Sequence, residues 1–205
     1  MKLTFIQQKI IETITNAPDN ILLMSRKNCH QKGLDSIVIN KDADGRLTRI
    51  FLAHSNHSMW KNNVPSICSL GIHDHKYNIR LTHVKGVANN ITAKVLLHKK
   101  GFFKYEYSSM LNGNGVRGVA VPVGLEYTNK EFIGSIFIPH TELHTVSVPK
   151  GEKAAWLVEE GSVVKDTTTL ITHLQKEDIT SQQLYKSFES KQEVLDTVVR
   201  FFNEE

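Results

Sequence analysis

Between Ser36 and Val158 the chain repeats one device: a short run with apolar residues at every second position, then a turn. Side chains on a strand alternate between faces, so such a run buries one face and wets the other. Ser36–Ile39 and Leu47–Leu52 flank Asp42-Ala43-Asp44-Gly45, whose Asp-Gly pair suits a hairpin turn. Further candidate strands are Ser69–Lys85, Ile91–Leu97, Phe102–Ser108, Gly118–Val123, Phe132–Ile138, His144–Val148 and Ala154–Val158. Gly86, Gly101, Asn112-Gly113-Asn114-Gly115 and Lys150-Gly151 separate them. About nine short strands at this spacing predict an all-β sandwich or barrel.

Helical spacing is confined to the two ends. Thr4-x-x-Gln7 reads as a capping box ahead of Ile6, Ile10, Ile11 and Ile14, and Pro18 stops that helix. Thr180-x-x-Gln183 and Ser190-x-x-Glu193 repeat the signature before Leu184 and Phe188, then Leu195, Val198, Val199 and Phe202. These apolar stripes are expected to cover the β-structure. The 205 residues suit a single domain over 1–205. Its expected parts are an N-terminal helix over 4–16, a barrel over about 35–174 and C-terminal helices over about 181–203.

Several partner classes lose support from composition. No stretch approaches the run of about 20 apolar residues that a membrane helix needs. The formal charge of +4 is dispersed, without a run of basic residues, so no nucleic-acid partner is expected. Two cysteines, Cys29 and Cys68, lack CxxC spacing, so a disulfide framework is not expected and a cytoplasmic location is. Ten histidines are the unusual feature.

Gly71-Ile72-His73-Asp74-His75-Lys76-Tyr77 is the richest segment. On a strand, His73 and His75 share a face, roughly 7 Å apart, on the parity of Tyr77, Ile79 and Leu81. Two adjacent buried imidazoles are hard to satisfy with backbone groups alone, whereas a divalent metal satisfies both. A third ligand is offered by His144, which shares strand parity with Val146 and Val148. His140 follows Pro139 and is placed at the rim. His54 and His57, beside Trp60, form a rival pair assigned to a loop. Asn112–Gly115 lacks the lysine and following helix of a phosphate-binding loop and reads as a turn.

Gly71-x-His73-x-His75, closing at Gly86, resembles the first motif of the cupin superfamily, and Pro139–Val146 resembles the second. The resemblance covers Ser69–Val158, under half of the chain. It implies an antiparallel cupin-type barrel (a jelly roll) in which His73, His75 and His144 meet on one divalent metal. The glutamate that many cupins place four or five residues after the second histidine is absent, since Ile79 and Arg80 stand there. A three-histidine set is locally similar to the thiol dioxygenases, which implies Fe(II) ahead of Zn, Mn or Ni.

The leading expectation is therefore a metal-dependent oxygenase acting on a small polar molecule. Arg80 is expected to clamp a substrate carboxylate in a bidentate fork, and Tyr105 to offer its hydroxyl to the pocket. The alternatives are an isomerase or hydrolase using the ion as a Lewis acid, and a binding module without chemistry. A homodimer is left open.

Overall fold

The computed structural model describes residues 3–29, 33–55, 71–107, 116–173 and 186–204, apart from the side chains of 116–118. Helix α1 (Phe5–Asn16) starts at the expected capping box: the Gln7 amide donates to Thr4 Oγ1 and the Thr4 amide to Gln7 Oε1. Its Ile10 and Ile14 are buried, and the chain leaves the helix at Ala17, before Pro18. A single turn, α2 (Asp19–Leu22), follows. Helix α3 (Lys191–Asn203) is capped by Ser190, whose hydroxyl accepts from the Glu193 amide. The Thr180–Gln183 box and Leu184 lie outside the described residues, and Phe188, although buried, precedes α3.

The strands are β1 (Arg26–Lys27), β2 (Leu34–Lys41), β3 (Leu47–Ala53), β4 (Ile72–His73), β5 (Tyr77–Gly86), β6 (Asn89–Leu96) and β7 (Phe102–Tyr107). They continue as β8 (Val116–Glu131), β9 (Ser135–Ile138), β10 (Leu143–Ser147), β11 (Ala154–Val163), β12 (Thr168–Thr172) and β13 (Lys186–Ser187). Seven form a sheet in the order β13-β1-β2-β3-β11-β5-β9, and six close a barrel in the order β10-β4-β12-β7-β8-β6. The fold is all-β and antiparallel, with helices at the chain's two ends, as the sequence predicts. The β2–β3 hairpin turns where expected: the Asp42 carboxylate accepts from the Asp44 and Arg46 amides and pairs with the Arg46 side chain.

Three apolar clusters fix these layers. Helices α1 and α3 lay Ile10, Ile14, Val194, Val198, Phe201 and Phe202 against Ile37, Ile50 and Leu52 of the seven-stranded sheet. The same sheet turns Ile79, Leu81, Trp156 and Val158 toward Val146 of β10 and its neighbour Val148. Ile72, Ile91, Val123 and Ile171 form the third cluster. Each fully buried aliphatic or aromatic side chain contributes about 1.5–3 kcal/mol.

One predicted strand is broken in two. Ser69–Lys85 contains β4, which belongs to the barrel, and β5, which belongs to the sheet, and the chain crosses between them at Asp74–Lys76. The predicted strand Gly118–Val123 is part of the much longer β8, and Phe132–Ile138 begins only at Ser135. At the far end of β5, Gly86 has φ +74° and a Cβ there would stand 1.8 Å from the Lys153 carbonyl oxygen, so only glycine lets β5 and β11 close.

Candidate metal centre

The crossover builds the site. His73 on β4 pairs directly with His144 on β10, so both side chains leave the same face of the barrel wall. Alternation puts Leu143 and Thr145 on the other face. His75 lies beyond the end of β4, and its ring stands 4.8 Å from the His73 ring and 5.0 Å from the His144 ring. The predicted shared face is therefore reached by a bend rather than along a continuous strand. One ligand atom from each of the three histidines lies within 4.8 Å of the others. The sequence and the structure bring together the same three residues, positioned to bind a metal ion.

His75 Nε2 and His144 Nε2 are only 2.8 Å apart. On the other side of the His144 ring, Nδ1 lies 2.8 Å from Asn90 Oδ1. A carboxamide oxygen only accepts, so His144 Nδ1 carries the proton and its Nε2 presents a lone pair toward His75. Donor nitrogens around one ion at about 2.0–2.1 Å stand about 3.0–3.4 Å apart. The close pair is near that spacing, and the His73 ligand atom lies within 4.8 Å of both. Burial first, and His73 second, push His144 down to about 3, so the ring stays neutral as a ligand must.

Two polar assemblies hold the approach. Asp74, between the two histidines in sequence, is buried, accepts from the Thr169 amide at 2.7 Å and pairs with Lys165 at 2.8 Å. It pins the crossover to β12. Tyr77 lies nearly parallel to the His75 ring at 6.1 Å and donates its hydroxyl to Glu160 at 2.7 Å. Arg49 holds the same carboxylate at 2.5 Å, and the Leu47 amide donates to its other oxygen. Burial, then the charge of Glu160, raise the Tyr77 hydroxyl well above the usual phenol range, so it remains a donor.

Gly71 sets the start of β4. It has φ +72°, and a Cβ there would stand 2.5 Å from the Leu170 side chain. Its carbonyl oxygen lies 3.4 Å from His73 Nδ1.

The other predicted residues divide. Arg80 is not a clamp beside the histidines: it lies between Ile79 and Leu81, whose inward parity sends its side chain outward. That side chain is 63% exposed and stands 3.9 Å from its cross-strand partner Glu159. Tyr105 is buried on β7 and shares a lateral row with His73, with Leu170 of β12 between them. His140 donates its backbone amide and faces Asn78 Oδ1 with its ring, apart from the three histidines. His54 bonds Asp35 at 3.0 Å and meets Phe201 edge-on, on the helix side of the sheet. His57, Trp60 and Asn112–Gly115 lie outside the described residues.

Asn90 and Asp74 contact the histidine group or its crossover and are residues that periodicity does not flag. The predicted strand begins at Ile91, yet β6 begins at Asn89 and Asn90 pairs with Val146. Asn90 shares its strand parity with Thr92 and Lys94, opposite apolar Ile91, Ala93 and Val95, so alternation carries no signal for it.

No family model matches the chain, and no curated protein matches it. Among solved structures, the polyketide cyclase RemF from Streptomyces resistomycificus is similar over 83% of this chain and 89% of its own. The identity is 15% and the TM-score 0.39, a likeness too distant to carry fold or activity across.

Proposed function

We propose that this chain is a cupin-like metal protein in which His73, His75 and His144 hold one divalent ion. The convergence of His75 Nε2 and His144 Nε2 at 2.8 Å, with Asn90 fixing the outer nitrogen of His144, carries this reading. Two imidazole nitrogens at that distance, one on a buried ring and one on a half-buried ring, need either a shared proton or a shared cation between them. Three neutral nitrogens leave the ion's remaining positions open for a small polar ligand.

The reaction class that this donor set favours is oxygenation of that ligand with Fe(II). When bound, the iron supplies the electron chemistry with dioxygen; the chain orients its ligands and keeps the surroundings dry. His144 is held by Asn90, His75 by the Tyr77 ring and His73 by the β4–β10 pairing. Ile79, Val146 and Trp156 line the same interior with apolar surface.

Elemental analysis of the purified protein, followed by anaerobic reconstitution with Fe(II), Zn(II) and Mn(II), tests the proposal. About one ion per chain is expected, lost in His144→Ala. Dioxygen consumption by the Fe(II) form alone supports oxygenation, whereas turnover with Zn(II) or Mn(II) moves the assignment to Lewis-acid chemistry. A chain that takes up none of the three ions is not a metal protein.

A further inference from the structure

Gly124 and Val123 are consecutive on β8, but their ladder partners are not consecutive. Gly124 stands opposite Leu96, where β6 ends, and Val123 stands opposite Phe102, where β7 begins. Residues 97–101 are therefore expelled from the ladder as a loop. The loop lies down on β8: a Cβ on Gly124 would stand 2.3 Å from Lys99 Cβ. Every residue of 97–101 is exposed, and Leu97 is 80% exposed. None of them joins the three apolar clusters, so the loop adds nothing to the core.

Charge is concentrated at the same place. The segment 94–104 holds Lys94, Lys99, Lys100 and Lys104 and no acidic residue. The chain has 25 lysines and arginines against 21 aspartates and glutamates, so without these four lysines the two signs balance at 21 each. The net charge of +4 thus equals the charge of this one segment, although no run of basic residues marks it. All four lysines are exposed, and among the described residues none forms an ion pair. Of the strand partners of Lys94 and Lys104, only Glu126, opposite Lys94, is acidic. Their partners on β8, Glu126 and Val121, lie about 17 Å apart along the strand, which bounds the patch.

We propose that this loop docks the protein on an anionic lipid bilayer, with the lysines against the headgroups and Leu97 entering the acyl boundary. Charge complementarity selects an anionic partner, and Leu97 selects the bilayer among such partners. A phosphodiester backbone gives an aliphatic tip nothing to bury against. Bases stack on exposed aromatic rings, whereas Phe102 and Phe103 are half-buried. A cationic rim around an apolar tip is the arrangement that an anionic membrane interface binds. The surface belongs to β6, β7 and β8 and is independent of the metal reading.

Co-sedimentation with vesicles of phosphatidylcholine alone, and with about one-third phosphatidylserine added, tests the proposal. Binding is expected only with phosphatidylserine, and weaker at high salt. Each lysine near such a surface is worth about fivefold, so Lys99→Gln with Lys100→Gln is expected to weaken binding about 25-fold. Lys41→Gln with Lys150→Gln removes the same charge outside the loop, from exposed positions, and is expected to cost less than about threefold. Leu97→Trp reports insertion, through a blue shift of its emission on phosphatidylserine vesicles above the wild-type background. All five positions are exposed, so the variants are expected to fold. Equal binding to both vesicle types, or an equal loss in the Lys41 and Lys150 variant, overturns the assignment to this loop. Binding to neither vesicle overturns the docking surface. Unshifted Leu97→Trp emission on bound vesicles overturns insertion. Tighter binding to single-stranded RNA than to vesicles, lost with Lys99 and Lys100, overturns the bilayer in favour of nucleic acid.

Discussion

His75 and His144 are 69 residues apart in sequence, and their Nε2 atoms are 2.8 Å apart in space. Neither lies on a strand shared with the other: one stands two residues beyond the end of β4 and the other is the second residue of β10. If the pair and His73 share one ion, His73→Ala, His75→Ala and His144→Ala each lose more than about 100-fold in metal affinity, beyond the effect of an outer-shell change. His54→Ala retains the metal, because its ring is engaged with Asp35 and Phe201 on the far side of the sheet. Metal content per chain across the four variants checks this, and loss in His54→Ala alone would sink the assignment.

Metal uptake is expected to fall as pH drops, because protons compete with the ion for the ligand nitrogens. Equilibrium dialysis against Zn(II) from pH 8 to pH 4 measures it. Uptake that persists unchanged at about pH 4 would point to carboxylate ligands instead.

His144 also couples the metal-free fold to acid. Its folded value, pushed from 6.5 to about 3, lies below its unfolded one, so the unfolded chain binds the extra proton between those limits. The stability from keeping the ring neutral is complete above about pH 6.5 and drains away as pH falls toward 3. Urea midpoints of the metal-free protein at pH 7 and pH 4.5 should differ less in His144→Gln than in the wild type.

Arginines 49 and 80 face opposite sides of one sheet and should behave differently. Removing Glu160 by Glu160→Leu leaves Arg49 uncompensated and the Tyr77 hydroxyl without its acceptor, at a cost of about 2–4 kcal/mol. Arg80→Ala removes an exposed guanidinium whose one carboxylate neighbour is 3.9 Å away, with an expected effect within about 0.5 kcal/mol. Chemical denaturation of both variants tests the contrast, and equal losses would mean that the inner pairing contributes nothing.

Cys29 is buried, and burial raises its thiol from 9.0 to about 11. In a Cys68→Ser background, its alkylation by iodoacetamide at pH 8 should run about 100-fold slower than that of a free thiol. The sign for stability is the reverse of that for His144. The contribution is complete below about pH 9 and is lost as pH rises toward 11. Rapid alkylation of the folded protein would contradict the burial.

Local chemistry made the helix starts legible. Thr4 with Gln7 and Ser190 with Glu193 satisfy amides within one turn, so residues three apart determine the outcome. The Asp42 turn is set the same way, by a side chain bonding its own backbone. Period-2 patterning fixed the inward faces of His144, Ile79 and Leu81 because alternation is a property of one strand and needs no partner. Arg80 obeys that same rule, and its outward face could have been read from its neighbours.

Strand partnership lies outside such reasoning. That His73 stands opposite His144, that the chain leaves the barrel at Asp74 to bring His75 back over them, and that Asn90 lies behind His144 all depend on register between segments up to 71 residues apart. Register is decided by the packing of both faces at once and by close backbone approaches between paired strands such as Gly86 against Lys153, each a long-range term with no local periodicity. Periodicity and motif could therefore nominate the three histidines, but only the pairing of β4, β6 and β10 makes them one site and gives it a neutral second partner.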